Sequence, residues 1–157
     1  MKHNKGRILK IMSTQNKKED FFNVHSRHYL EMAFRHDRRK RIDDPDGYGK
    51  RTGICGDTVE FFLKVRDGKI FRTLFDKDGC MNTAACANTV SFLSEGKTIA
   101  EAWEIKAEDI IEFLETLPSD EHHCAELAVG AFYLALSNYG EVSRSPWKKA
   151  YRNSQRI

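Results

Sequence analysis

Two hydrophobic periods divide the chain. From residue 58, TVEFFLKVRDGKIFRTLFD alternates, with Val59, Phe61, Leu63 and Val65 on one face and Thr58, Glu60, Phe62, Lys64 and Arg66 on the other. A period of two marks a strand that buries one face. Asp67-Gly68 interrupts the run, and both residues tolerate the positive φ of a two-residue hairpin turn. A second strand follows from about Lys69 to Phe75. Elsewhere the apolar period is helical. FFNVHSRHYLEMAFRHD (21–37) sets Phe22, His25, Tyr29, Met32 and Phe34 near one side of a helix. Further helices are expected over about 82–95, ended by Gly96, from Thr98 with Glu101 completing a capping box, and over about 107–116, stopped by Pro118. A long C-terminal helix follows over about 120–138, with Ser119 as N-cap and Gly140 as stop. DDPDGYGKRTG (43–53) reads as loop or irregular edge strand. Strands first and helices after give an α+β fold, a small antiparallel sheet with helices packed on one face.

Length and charge refine this outline. At 157 residues the chain makes one domain, large enough to bury a core without staples. The net charge of +3 is unevenly spread. Residues 1–41 hold 12 Lys or Arg against 4 Asp or Glu, residues 140–157 hold 5 against 1, and the stretch between carries 9 against 18. The expected organisation is a flexible basic leader (1–20), a folded domain (21–139) and a basic C-terminal tail (140–157). An acidic middle argues against a nucleic-acid-binding core. No run of 18 apolar residues is present, so no membrane span is expected. The basic start lacks an apolar signal core. The four cysteines, at 55, 80, 86 and 124, read as reduced thiols, and the expected location is cytoplasmic.

Three of those cysteines sit where chemistry is expected. Cys55 lies just before the first strand of the hairpin and Cys80 just after the second, so antiparallel pairing brings both to one end. Asp57, two residues from Cys55, points the same way if the chain there is extended. Gly53, Gly56 and Gly79 remove bulk beside them, which would let backbone approach a ligand. His123 and Cys124 fall in the first turn of the last helix, where the helix end should lower the Cys124 pKa. Adjacent helical residues point about 100° apart, so the two would reach one site together only by local fraying. Three thiolates with a carboxylate or an imidazole suit tetrahedral Zn²⁺ or a small iron–sulfur cluster. There is no C-x-x-C, and the spacing leaves scattered structural cysteines equally open. His25 and His28 are three apart but lack a carboxylate or thiol at matching spacing.

CGDTVEFFLKVRDGKIFRTLFDKDGC, EGKTIAEAWEIKAEDIIEFLETLP and HCAELAVGAFYLALSNY resemble the NifU/IscU type of iron–sulfur cluster assembly scaffold, over roughly residues 46–139. The resemblance implies a three-stranded antiparallel sheet. It further implies a non-enzymatic scaffold that builds a transient [2Fe–2S] cluster and passes it to apo-proteins. By position the cluster- and metal-binding residues would be Cys55, Asp57, Cys80, His123 and Cys124, with Zn²⁺ as a second metal for the same donors. An oxygen donor holds a soft iron–sulfide unit less firmly than a fourth thiolate, so Asp57 would keep binding reversible. A cysteine desulfurase would supply persulfide sulfur, with Cys124 as acceptor. The alternative is a zinc-bound sulfur-relay protein that activates the desulfurase. Such relatives carry an insertion before the last helix and lack the histidine, whereas this chain has His123 and no evident insertion.

The chain also departs from the family. Where the chaperone-binding loop reads leucine, two prolines, valine and lysine, this chain has LPSDE (117–121). One proline is gone and an acid replaces the base, so the specialised Hsp70 partner is not expected, or uses another contact. Cys86 stands where many members carry a small residue, and reads as a buried structural thiol. RHDRRKRIDDPDGYG is longer and more basic than the usual approach to the sheet, and reads as a solvated face or a desulfurase-docking segment.

Overall fold

The computed structural model describes residues 21–148. The leader expected at 1–20 and half of the basic tail, 149–157, lie outside them. The elements run α1 (Arg27–Phe34), β1 (Gly47–Thr52), β2 (Thr58–Arg66), β3 (Lys69–Asp78), α2 (Met81–Ser94), α3 (Ile99–Ala102), α4 (Ala107–Leu114), a 3₁₀ turn (Ser119–Glu121) and α5 (His122–Arg144). The strands form one antiparallel sheet in the order β1-β2-β3. The fold is α+β, with a long C-terminal helix.

The hairpin turn falls where its residues require, with Asp67 at φ 54° and Gly68 at φ 73°. Its side-chain alternation continues, yet both faces are covered between Val59 and Leu63. Val59, Phe61 and Leu63 enter the main core with Phe75, Ala128, Phe132 and Leu136. On the opposite face Phe62 is shielded by the Tyr48 ring, 5.3 Å between centroids, and by the Arg41 guanidinium. Glu60, also buried, is neutralised there by Arg41 and accepts a 2.8 Å hydrogen bond from Tyr48 Oη.

The stretch 43–53 supplies a regular strand rather than an irregular edge. Residues from Gly47 to Thr52 pair in unbroken register with β2. The sequence hid this strand because Gly47 and Gly49 carry no side chain to show a period. Their absence of bulk serves α5 instead. A Cβ on Gly49 would strike the backbone of Ala131 and Ala135, so the helix lies directly on the strand. The free edge of β1 is also covered, since Tyr48 N donates to Asn138 Oδ1 of α5 at 2.9 Å.

Three helix boundaries differ from the sequence expectation. The predicted 21–37 helix breaks at 25–26, because Ser26 caps α1 and is held from outside. Its N–H donates to Thr116 Oγ1 at 2.8 Å and its hydroxyl to Leu114 O at 2.6 Å. The last helix begins after a 3₁₀ turn, with Glu121 rather than Ser119 at its N-cap. It passes Gly140 and ends at Arg144, with Val142 buried on the way. The capping box of Thr98 and Glu101 is present as expected.

Candidate metal and sulfur site

The end of the sheet opposite the hairpin turn gathers the chemistry. Thr52 pairs with Thr58 and Thr58 with Asp78, so the β1–β2 loop and the β3–α2 junction emerge side by side. The loop 53–57 is not extended. Gly53 N donates to Asp57 O at 2.8 Å and Gly56 N to Gly53 O at 3.0 Å, and Gly56 takes φ 88°. This turn separates the two side chains expected to point together. Asp57 turns inward, while Cys55 stays exposed beside a fully exposed Ile54.

Two helix N-termini converge on Asp57. Cys80 is the N-cap of α2 and makes no side-chain cap bond, and Asp57 Oδ2 sits against this end of the helix. It accepts from Thr83 Oγ1 at 2.7 Å and lies 3.5 Å from Cys80 N. Thr83 Oγ1 also stands 3.7 Å from Cys80 Sγ and 3.7 Å from Cys124 Sγ. The donor atoms of Asp57, Cys80 and Cys124 all lie within 4.8 Å of one another. Partial positive charge at both helix ends favours anionic ligands there. Lys77 Nζ fixes the junction by donating to Gly79 O at 2.6 Å and Cys80 O at 3.3 Å.

The glycines act differently from the sequence expectation. A Cβ on Gly79 would lie 2.5 Å from Asp57 Oδ2, so Gly79 makes room for the carboxylate rather than for a ligand. Gly56 is needed for its positive φ and faces open space, and Gly53 lies against Leu127.

Glu121, His123 and Cys124 form an adjoining group whose donor atoms also lie within 4.8 Å of one another. Cys124 Sγ donates to Glu121 Oε2 at 3.4 Å, and His123 Nε2 lies 3.6 Å from the same oxygen. His123 and Cys124 therefore meet without fraying, because the 3₁₀ turn carries Glu121 back over the start of α5.

The expected lowering of the Cys124 pKa is overturned: its thiol is pushed up to about 12. Burial is the largest cause, with Cys80 and Glu121 adding to it against the opposing hydrogen bond from Thr83. A helix end does not outweigh removal from water plus an adjacent carboxylate. Cys86 is fully buried, and burial likewise raises its thiol pKa. Tyr29 is raised to about 12, first by burial and then by Cys86, Cys80, Cys124 and Glu121, and its hydroxyl donates to Asn82 Oδ1 at 2.5 Å.

Cys55 stands outside both groups, at the rim. His25 and His28 serve packing, stacked on Tyr29 and Phe113. Sequence reasoning missed Thr83 and gave Glu121 no place at the site. Thr83 follows Cys80 by three positions, the spacing from an N-cap to the third helical residue. Glu121 was legible as an acid in place of a base.

Comparison with known proteins identifies the family. The NifU-like N terminal domain model matches residues 38–145. The iron-sulfur cluster assembly scaffold protein IscU 1 of Archaeoglobus fulgidus is 33% identical over 116 residues, covering 71% of this chain and 76% of that protein. The iron-sulfur cluster assembly scaffold protein IscU of Escherichia coli K12 is 38% identical over 86 residues, covering 54% of this chain and 66% of that protein. Among solved structures, a putative iron-sulfur cluster assembly scaffold protein for the SUF system from Fervidobacterium islandicum superposes with TM-score 0.61 at 20% identity, covering 72% of this chain and 96% of that one. A NifU-like N-terminal protein from Brucella abortus also gives TM-score 0.61, at 18% identity, covering 74% and 94%. From the matched span and the relatives together, the chain belongs to the NifU-like N-terminal domain family.

Proposed function

We propose that the chain is a scaffold on which an iron–sulfur cluster is assembled, held labile and passed to apo-proteins. One observation carries the reading: two sulfurs and a carboxylate, drawn from three separate elements, meet within 4.8 Å at the rim of the sheet. Soft thiolates suit iron and sulfide, and a single oxygen donor weakens the hold. Family membership and the scaffold names of the relatives support the same reading. The cargo would be held by Cys55, Cys80 and Cys124 with Asp57 or His123, the Cys55 loop folding in over it. A [2Fe–2S] unit is the expected cargo. Zn²⁺ fits the same N, O and S donors in the absence of iron.

Sulfur arrives from a cysteine desulfurase as the outer atom of a persulfide. A site thiolate attacks that atom, the donor S–S bond breaks, a new S–S bond forms on the scaffold, and the desulfurase cysteine leaves as thiolate. Two electrons from an external reductant then release sulfide. Cys124 can take this role once an iron ion has displaced its proton, since a coordinating thiol is deprotonated. As a neutral buried thiol it is no nucleophile.

The test is anaerobic reconstitution with Fe²⁺, a thiol reductant, cysteine and a desulfurase, read by iron and sulfide analysis beside a zinc assay. Iron and labile sulfide in equal amounts on the chain are expected. Single Cys→Ser changes at 55, 80 or 124 should abolish them, and Asp57→Ala should leave a cluster that transfers slowly. Zinc retained with persulfide but no sulfide would replace this reading with the zinc-bound sulfur relay.

A further inference from the structure

We infer that Glu121, His123 and Cys124 form a second cation position, sharing the Cys124 sulfur with the Asp57–Cys80–Cys124 group. The chain would then take two thiophilic divalent ions rather than one. This deepens the proposed function and rests on it, because it concerns how metal enters the same site.

His123 Nδ1 lies 3.1 Å from Asp120 O. A carbonyl oxygen only accepts, so Nδ1 carries a proton, and in the neutral ring the lone pair then lies on Nε2. That is the arrangement by which a backbone carbonyl prepares a histidine for a metal. Nε2 faces Glu121 Oε2 at 3.6 Å, and the same oxygen stands 3.4 Å from Cys124 Sγ. One nitrogen, one oxygen and one sulfur thus meet with a tautomer already chosen, and three protein donors leave a place for water, as in an exchangeable site.

The two groups have different surroundings. Asp57, Cys80 and Cys124 are tied together through Thr83, beneath the helix ends. Glu121 and His123 are only half-buried and stand outside Cys124. Cys124 is the only donor common to both. A thiolate sulfur has lone pairs enough to bridge two ions. An ion arriving at the outer position can therefore reach the inner one without leaving the shared sulfur. Glu121 makes this possible. A basic side chain at residue 121, as in the family's chaperone-binding loop, would place a cation where the structure puts a ligand oxygen.

The test uses the full reduced chain, stripped of metal and kept anaerobic, titrated with Co²⁺. Sulfur-to-cobalt charge-transfer absorption reports only ions bound to a thiolate and ignores those on surface histidines. For wild type it should rise through two equivalents. In Glu121→Gln the second equivalent should weaken by at least about tenfold, the lower end for losing even an outer partner of a metal ligand. In Asp57→Asn the inner equivalent should weaken instead, with the outer one retained. Circular dichroism confirms the fold of each variant. A wild-type titration that ends at one equivalent, or a Glu121→Gln curve that overlays wild type, overturns the second position and leaves the scaffold reading standing. No charge-transfer absorption at any ratio would sink both.

Discussion

Gly79→Ala tests how the carboxylate is held. The added Cβ would lie 2.5 Å from Asp57 Oδ2, 2.6 Å from Cγ and 3.0 Å from Cβ. Gly79 is not among the positive-φ residues, so the effect is steric rather than conformational. Relief to an ordinary separation of about 3.5 Å requires Oδ2 to move by about 1 Å. Thr83 Oγ1 now donates to that oxygen at 2.7 Å. A displacement of that size breaks the bond, because a contact near 3.6 Å is no longer a hydrogen bond. Losing a hydrogen bond to an ionised group removes about 1.5–3 kcal/mol. The same free energy, felt as misplacement of a metal ligand, is about 10- to 100-fold in affinity. The assay is Zn²⁺ affinity by competition with a chromophoric chelator, beside a thermal melt. Gly68→Ala, in the hairpin turn at the other end of the sheet, is the control. It meets open space at φ 73°, so it should strain the backbone by about 1–2 kcal/mol and leave affinity unchanged. If Gly79→Ala bound Zn²⁺ within about twofold of wild type, against the tenfold expected for 1.4 kcal/mol, the carboxylate would not depend on the gap and the reasoning would fail.

Other perturbations separate the fold from the site. Gly49→Ala drives a methyl into the backbone of α5, and should lower stability in urea unfolding by about 3 kcal/mol, the upper end of overpacking. Cys86→Ser places a hydroxyl in a fully buried position, and should lower the urea midpoint by the equivalent of about 1–3 kcal/mol while leaving the number of bound ions unchanged. Alkaline pH should destabilise the chain. The fold keeps the Cys124 proton up to about pH 12 whereas an unfolded thiol releases it near pH 8.5, so stability is full below that value and is lost as pH rises toward 12. Urea midpoints at about pH 7.5 and 10 should differ by on the order of 1–2 kcal/mol for this group, and the difference should shrink in Cys124→Ala. A pull-down with the specialised Hsp70 should retain no complex, since LPSDE folds into the 3₁₀ turn and turns Glu121 toward Cys124.

What the sequence could reveal depended on whether a residue's job was local. The Asp67-Gly68 turn and the Thr98–Glu101 capping box are decided by neighbouring residues, and both stand where expected. Antiparallel pairing alone brought the Cys55 loop and Cys80 to one end of the sheet, but not the turn that sends Asp57 toward Cys80 and leaves Cys55 at the rim. Features decided by distant contacts were hidden. Gly49 is shaped for α5, more than eighty positions away, and Ser26 breaks its helix because Leu114 and Thr116 hold it. The Cys124 thiol was misjudged because a helix end is visible in sequence, whereas burial and a carboxylate returned by a 3₁₀ turn are not.

Cys55 differs from the other proposed donors in how it is carried. Asp57, Cys80 and Cys124 are tied to the framework through Thr83 and the start of α2, while Cys55 rides a five-residue turn. On the proposed scaffold function, a visiting thiolate from an acceptor would evict one sulfur and leave three anchors in register. Handover would then proceed by swapping partners one bond at a time at an open doorway, and the emptied cradle would keep its shape for the next round.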